Sequence, residues 1–467
     1  MYSTVVGKAE DLDFSRFQYV PDAAQLEGAN FIVHTARGRV FLNDVMGLGK
    51  TGTSYLAMHM LRPNHTLVVC GKNAQWTWIS ESAIWGYTRP IIIKGTAAQR
   101  QELWQRLEQQ RAKGYKTFAV CTRAVLMNDL KSESVPKKWS LIITDEAHKD
   151  SNRKTQSYKA LKSLESKWFF ALTGNRLRAD RLWGILHLIN KQQYPSYWKF
   201  MSTFCQVDDG PFGKEFVGVK NVDGLRHQLS TIRLRREKDS MPPKRRFVVP
   251  IEMDTCQERL YTELLEEAMI EVGRRLILAP NQLTKLTRVR QLLCCPKILD
   301  PSLTYGGAIE ALIEKLDEAS PDMKQMVVFS PFRASLKFVN ERLLAEGYEQ
   351  DSIITLHGGI EPEELDRRIQ QFKLTKGIVL CTTRFAESFS LVPAQWSYHL
   401  GYEWEPDVNY QAEDRIHRGK ITHGINCYYA QYMDTLDTEI VRAVLDNKTR
   451  YVNLMYGTDK KIIKCDP

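Results

Sequence analysis

The sequence predicts an α/β protein with two doubly wound parallel-sheet lobes and a helical insertion between them. Three observations carry that expectation. Short apolar β-type runs alternate with helical or polar stretches in both halves of the chain. The runs are nearly continuous in apolar residues, which suits strands covered on both faces of a parallel sheet. Residues 176–320 interrupt the alternation with longer helical patterns and a basic segment, so the two series of βα units form separate lobes.

The expected strands of the first lobe are Val40-Phe41-Leu42, Leu67-Val68-Val69-Cys70, Phe118-Ala119-Val120-Cys121, Leu141-Ile142-Ile143-Thr144 and Phe169-Phe170-Ala171-Leu172. Those of the second are Met326-Val327-Val328-Phe329, Ile353-Ile354-Thr355-Leu356, Ile378-Val379-Leu380-Cys381, Ser397-Tyr398-His399-Leu400 and Cys427-Tyr428-Tyr429-Ala430. Between them, helical periodicity runs from Gln257 to Leu278 and from Leu283 to Leu293. IRLRREKDSMPPKRR, with its Pro242-Pro243 break, reads as a connector. The expected divisions are 1–235 for the first lobe, with a helical extension from about 176, then 236–320 for the connector and helices, and 321–467 for the second lobe.

Composition narrows the function classes. The chain has 467 residues, 43% hydrophobic and 26% charged, which excludes wholesale disorder and a fibrous repeat. Sixty-five Lys and Arg against 55 Asp and Glu leave a net charge of +10. That favours polyanionic partners, nucleic acid first, or else marks a solvated basic surface. Apolar runs such as Leu141-Ile142-Ile143 fall far short of the ~18 residues that span a bilayer. MYSTVVGKAEDLDF has acidic residues and no apolar h-region, so neither a membrane partner nor a secretory signal is expected. The nine cysteines are scattered without a CxxC, which fits a reducing compartment better than a disulfide framework or a zinc site.

Two segments point to phosphate chemistry. In VFLNDVMGLGKTGTSYLAMHML a strand is followed by a glycine-bearing loop and a helix. Backbone N–H groups at such a helix start can surround phosphates. Gly47, Leu48, Gly49, Lys50, Thr51 and Gly52 are the candidate nucleotide-binding residues, with Lys50 facing the β/γ-phosphates and the Thr51 hydroxyl on Mg²⁺. Asp44 stands where the general pattern has its first glycine. About a hundred residues on, Leu141-Ile142-Ile143-Thr144 runs into Asp145-Glu146-Ala147-His148. A carboxylate leaving an apolar strand emerges at the carboxyl edge of the sheet, where open α/β folds bind ligands. Asp145 is the candidate metal ligand and Glu146 the group that orients or deprotonates the attacking water. The alternative is an ordinary acidic turn.

From about Gln25 to His417 and beyond, ordered motifs resemble those of superfamily-two helicase-type ATPases, in their sucrose-non-fermenting (Snf-type) branch of DNA translocases. DVMGLGKT matches the branch's "DxMGLGKT", which makes Asp44 a family feature. PDAAQLEGANFI resembles the glutamine motif, LVVCGKNAQWTWISE motif Ia with Trp78 at its tryptophan, VCTRAVL motif Ib, DEAH motif II and ALTGNRLRA motif III. IRLRREKDSMPPK and VRQLLCCPKIL resemble the connector and the helix after it. VVFSPFRASLKFVNERL resembles motif IV, LHGGIEPEELDRRIQQF the segment that follows, and WEPDVNYQAEDRIHRGK motif VI.

The resemblance implies RecA-like lobes that use ATP and Mg²⁺, with Gln25 at the adenine and His148 linking the ATP site to motif III. It makes Arg415 and Arg418 arginine fingers, three apart on one expected helix, and has Gln411 help order the catalytic water. Lys72, Arg123, Arg333 and Arg384 would contact DNA phosphates. Trp76, Trp78 and Trp85 suit packing better than base stacking. Two departures stand out: TTRFAESFSL, in the place of motif V, has none of the usual glycines, and the tail of motif VI reads Gly419-Lys420-Ile421. The implied activity is an ATP-driven motor moving along or remodelling duplex or branched DNA. A strand-separating or branch-migrating helicase is the alternative, and an ATPase-dead nucleic-acid-binding module a further one. No protein partner is read from the sequence. The chain nearly ends with the second lobe, a compact form that suits a bacterial or phage protein in the cytoplasm, with the nucleus as the other location.

Overall fold

The apolar runs pair side by side and in parallel. The computed structural model describes residues 7–72, 74–210, 213–236, 242–268, 271–272, 275–276, 280–318, 325–375, 377–387, 389–417, 421 and 424–439. The chain divides into two compact units at Asp239/Ser240. Among the described residues no helix is long and apolar enough to cross a membrane.

The strands of the first unit are β1 (Arg39–Leu42), β2 (His65–Cys70), β3 (Ile91–Ile92), β4 (Thr117–Thr122), β5 (Lys138–Asp145), β6 (Glu165–Leu172), a hairpin of β7 (Cys205–Gly210) and β8 (Gly213–Val219), and β9 (Arg233–Leu234). Seven of them form one sheet in the order β3-β4-β2-β5-β6-β1-β9, with every neighbour parallel. Alternate side chains feed two cores. Phe41, Leu67, Val69, Ile142 and Phe169 pack with Trp104 and Leu186, while Val40, Leu42, Val68, Ile143 and Phe170 pack with Tyr55 and Trp78. This two-sided burial is why the strands read as continuous apolar runs rather than alternating ones.

Register sets the edge that matters. Leu42 of β1 and Asp145 of β5 both lie opposite Leu172 of the intervening β6. The carboxyl ends of these strands are therefore level, and each leads into one of the quoted motifs. The helix Lys50–Leu61 leaves that edge, and most of its residues are buried. Gly52 is required there by packing, since a Cβ would lie 2.4 Å from Cζ2 of Trp85.

The second unit repeats the plan. Its strands are β10 (Lys244–Ile251), the short antiparallel pair β11 (Glu271–Val272) and β12 (Arg275–Leu276), β13 (Met326–Ser330), β14 (Ile353–Leu356), β15 (Ile378–Thr382), β16 (Trp396–His399) and β17 (Ile425–Tyr432). Six form a parallel sheet in the order β10-β17-β16-β13-β15-β14.

Three expectations are corrected. Arg233–Leu234 is a strand of the first sheet, not connector. KRRFVVPI is the edge strand of the second sheet, so the second unit begins near residue 240 and not at 321. Its basic residues hid it, and Pro250 is tolerated because an edge strand leaves one row of N–H groups unused. The helix expected from Gln257 to Leu278 spans Thr255–Ala268, and β11 and β12 follow.

His399, at the end of β16, is fully buried, with its ring stacked 4.1 Å from that of Tyr429 and tilted against that of Phe329 at 5.0 Å. Burial pushes its pKa down from 6.5 to about 4. The unfolded chain takes up this proton near 6.5 and the folded chain not until about 4. The stability it contributes is therefore complete above 6.5 and is lost as pH falls through that window. His399→Phe should lose less melting temperature than the parent chain between pH 7 and about 5. Parallel losses in thermal melts of the two proteins would refute this assignment.

Candidate nucleotide site

β1 ends at Leu42 and the chain turns through Asn43–Gly49 into the helix Lys50–Leu61. Gly47 and Gly49 have φ of +81° and +66°, a left-handed backbone that glycine adopts without a Cβ penalty. No side chain caps this helix start, so its first N–H groups remain available to an anion. Lys50 Nζ donates to the carbonyls of Asp44 (2.8 Å) and Val45 (3.1 Å). Burial lowers the pKa of this ammonium, while Glu146, Asp44 and Asp145 act to raise it. Gln25 sits against the loop: its Oε1 accepts from the Asp22 N–H in a capping box, and a Cβ on Gly49 would lie 2.5 Å from its Nε2.

The acidic motif occupies the same edge. Asp145 accepts from Trp78 Nε1 (3.2 Å) and from the Glu146 N–H (3.0 Å). Trp78 is thus fully buried packing, as expected, with a polar contact the sequence did not show. Trp85 is packed beneath the helix, while Trp76 is partly exposed with Lys94 Nζ 5.2 Å from its ring. Burial and the Glu146 charge push Asp145 up. For Glu146 burial acts in the same direction, but the His148 contact and Lys50 outweigh it and hold the carboxyl at about 2. His148 Nδ1 lies 3.3 Å from Glu146 Oε2 and 3.0 Å from Thr173 Oγ1, so it does bridge the acidic motif and the turn after β6. Asn43 ties the P-loop to that turn by donating to the carbonyls of Thr173 and Asn175.

Arg123 departs from expectation. It does not present its guanidinium to a surface; the side chain is 12% exposed and pairs with the fully buried Asp150. It also donates to Thr144 Oγ1 and to the carbonyls of Asp145 and Glu146. Thr122 caps the helix Arg123–Lys131, which places Arg123 on its first turn against the sheet edge. There it holds Glu146 at φ +53°, a left-handed conformation unfavourable for a residue with a Cβ. Arg123 is a support of the acidic motif.

A second support joins residues far apart in sequence. Arg236, just after β9, forms an ion pair with the fully buried Asp44 and also reaches Glu27 and the Ala24 carbonyl. Arg235 donates to the carbonyls of Asn43 (2.8 Å) and Gly174 (3.3 Å). The available signal was the double arginine of the connector and the acidic residue in the P-loop, but nothing local relates positions 192 apart.

The remaining expected residues fall as follows. Lys72 and Arg333 are exposed. Arg384 is surface-facing and is held by a two-pronged pair with Glu403, both bonds 2.9 Å. Gln411 is buried in the helix Pro406–Glu413. That helix stops at Glu413, so Arg415 lies in the following turn and not on a helical face. Arg415 is 2% exposed and donates to the Phe389 carbonyl (3.2 Å). Arg418 lies outside the described residues.

A glycine-bearing loop, an uncapped helix start, a lysine and paired carboxylates lie together on one sheet edge, the arrangement a nucleotide phosphate requires. Residues 24–298 match the model of the SNF2-related domain, and residues 307–420 that of the helicase conserved C-terminal domain. The first match takes in more than half of the chain, and the protein belongs to the SNF2-related family. It is similar to the CHD3-type chromatin-remodeling factor CHR7 of Arabidopsis thaliana, with 24% identity across 95% of this chain and 39% of that protein. It is also similar to chromodomain-helicase-DNA-binding protein 7 of Homo sapiens, with 25% identity across 94% of this chain and 16% of that protein. The chain thus spans well under half the length of these relatives. A solved structure of the SWI2/SNF2 ATPase core of Sulfolobus solfataricus in complex with dsDNA aligns over 96% of this chain and 95% of its own, at 22% identity and a TM-score of 0.44. Membership of this helicase-like family implies use and hydrolysis of ATP, typically with Mg²⁺.

Breaking a buried ion pair by removing one partner costs about 3–5 kcal/mol, because the other charge is stranded. Asp44→Ala and Arg236→Ala should each lower the unfolding free energy by about that much, and the double variant should cost little more than either. Fully additive losses in denaturant titrations would show that the two residues do not act as a unit.

Proposed function

We propose that the protein hydrolyses ATP at the carboxyl edge of its first sheet and uses the cycle to move along duplex DNA. The observation that supports this most is the level register of β1, β6 and β5. It sets Lys50 and the Asp145-Glu146 pair on one edge beside an uncapped helix start. The N–H groups of Lys50, Thr51 and Gly52 and the Lys50 ammonium would hold the phosphates, with Gly47 and Leu48 shaping the loop and Gln25 at the base. Thr51 and Asp145 have the oxygen donors that suit Mg²⁺, which when bound neutralises phosphate charge. Glu146, ionised and held by His148, orients the attacking water as a hydrogen-bond acceptor. Turnover also requires Gln411, Arg415 and Arg418.

Lys50→Ala should abolish hydrolysis and weaken ATP binding. Glu146→Gln should bind ATP normally and turn over about 10²- to 10⁴-fold more slowly, the range general-base groups contribute. Equilibrium binding and single-turnover hydrolysis of the two variants check this. Lost nucleotide affinity with retained turnover in Glu146→Gln would contradict the role assigned to it.

Duplex DNA as the track is supported by the net charge of +10, by the exposed Lys72, Arg333 and Arg384, and by the family. Phosphate contacts release counterions, so DNA affinity should fall steeply with salt. Lys72→Ala, Arg333→Ala and Arg384→Ala should each reduce the log–log salt slope by about one. Arg123→Ala should leave that slope unchanged and slow hydrolysis instead. Titrations at several salt concentrations separate the two classes, and a reduced slope in Arg123→Ala would return it to the DNA surface.

A further inference from the structure

The edge strand β10 carries two cations: Lys244 closes the segment that resembles the family connector, and Arg246 follows it. Lys244 and Arg246 are two apart, so their side chains leave the same face of the strand. Both meet the end of the helix Pro406–Glu413. Arg246 Nε and Nη2 donate to the two carboxylate oxygens of Glu413 at 2.7 and 2.6 Å. Its guanidinium also lies 5.1 Å from the ring of Tyr410, one turn earlier on that helix. Lys244 Nζ pairs with Asp414 and lies 3.6 Å from Glu413. Glu413 is fully buried and accepts a further bond from Tyr429 on β17 (2.8 Å). Arg246 and Lys244 together hold its carboxyl at about 2 against the upward push of burial, so it is ionised throughout the physiological range.

Arg415 follows this anchored pair directly. Its carbonyl accepts from the Leu391 N–H (2.8 Å) and its guanidinium donates to the Phe389 carbonyl, so the turn is also stitched to the segment before β16. His417, two residues on, lies 2.6 Å from the Pro242 carbonyl, and the Pro243 carbonyl accepts from the Ile425 N–H at the start of β17. The turn bearing Arg415 is therefore bounded on both sides by contacts to residues 242–246.

We propose that Arg246 and Lys244 are positioning residues for the Arg415 turn. The strand that opens the second unit, by its grip on Glu413 and Asp414, sets where Arg415 stands. A two-pronged guanidinium–carboxylate pair fixes orientation as well as distance, which a lone lysine does not. The helix ends where this grip begins, so the arginine turn takes its position from β10 and not from a continuing helix. The inference rests on the proposed requirement for Arg415 in ATP turnover.

The test compares Lys244→Asp, Asp414→Lys, the double reversal Lys244→Asp/Asp414→Lys, Arg246→Lys and Arg415→Ala in the full chain. The readouts are kcat and KM for ATP together with melting temperature. A displacement near 1 Å can cost about 10²-fold in rate, so Lys244→Asp, Asp414→Lys and Arg246→Lys should each lower kcat by about 10- to 100-fold. KM should stay close to that of the parent chain, while melting temperature should fall in Lys244→Asp, which sets a third carboxylate beside the buried Glu413, and least in Arg246→Lys, which keeps its charge. The double reversal should recover part of the lost kcat, because it restores the pair with position 414 and not the Lys244 contact with Glu413. Unchanged kcat in the single variants, or loss of kcat with melting temperature that the double reversal does not restore, would overturn the proposal. Should Lys244→Asp fail to fold, Lys244→Met removes the charge without reversing it and must show the same loss of kcat at constant KM. A slow Arg415→Ala beside normal Lys244 and Arg246 variants refutes the positioning role alone. Normal turnover in Arg415→Ala refutes the motif VI requirement on which it rests.

Discussion

The parallel register of β1, β6 and β5 is the constraint on which the candidate site depends. Leu42 and Asp145 share Leu172 as their neighbour across the sheet, so the loop with Lys50 and the turn with Glu146 begin at the same level. Because side chains alternate faces along a strand, a one-residue slip of β5 would send Leu141 and Ile143 to the opposite core as well as moving Asp145. The two apolar cores therefore protect the register, and the register places the chemistry. A site built this way needs no local stability of its own in the loops, which are free to carry exposed N–H groups and a left-handed glutamate.

The loops are nonetheless held, and by one recurring device. A buried carboxylate is paired with an arginine that also reaches backbone carbonyls or an aromatic ring. Asp150 holds Arg123, which in turn grips the carbonyls of Asp145 and Glu146. Asp44 holds Arg236, which reaches the Ala24 carbonyl beside Gln25. Glu413 holds Arg246, whose guanidinium faces Tyr410. Such pairs contribute little net stability after desolvation, but each fixes an orientation that apolar packing would leave loose. Their places beside the P-loop, the acidic motif and the arginine turn match the need of phosphoryl transfer for positioned charge.

Much of this was legible in the sequence. The strands that form the centres of both sheets are continuous apolar runs, and strand–loop–helix order marked the P-loop before any pairing was known. β9 and β10 were not legible, because edge strands that carry Arg and Lys have the composition of a connector. The helix from Thr255 was drawn too long because the periodicity of the sequence continues past Ala268, where the helix ends. The internal pairing of Arg123 was hidden for a different reason. A basic residue opening a helix after a strand has the same local sequence whether it faces DNA or turns back onto the sheet edge, and only Asp150, 27 residues later, decides between them. Likewise Glu413 and Asp414 read as part of a motif, while their partners lie 167 to 170 residues earlier.

The most direct measurement is steady-state ATP turnover by the full chain without DNA, with duplex DNA and with single-stranded DNA, at low salt and in the presence of Mg²⁺. The expected result is measurable hydrolysis that duplex DNA stimulates at least as strongly as single strands do. Absence of hydrolysis under all three conditions would contradict the catalytic site, and stimulation by single strands alone would contradict duplex DNA as the track.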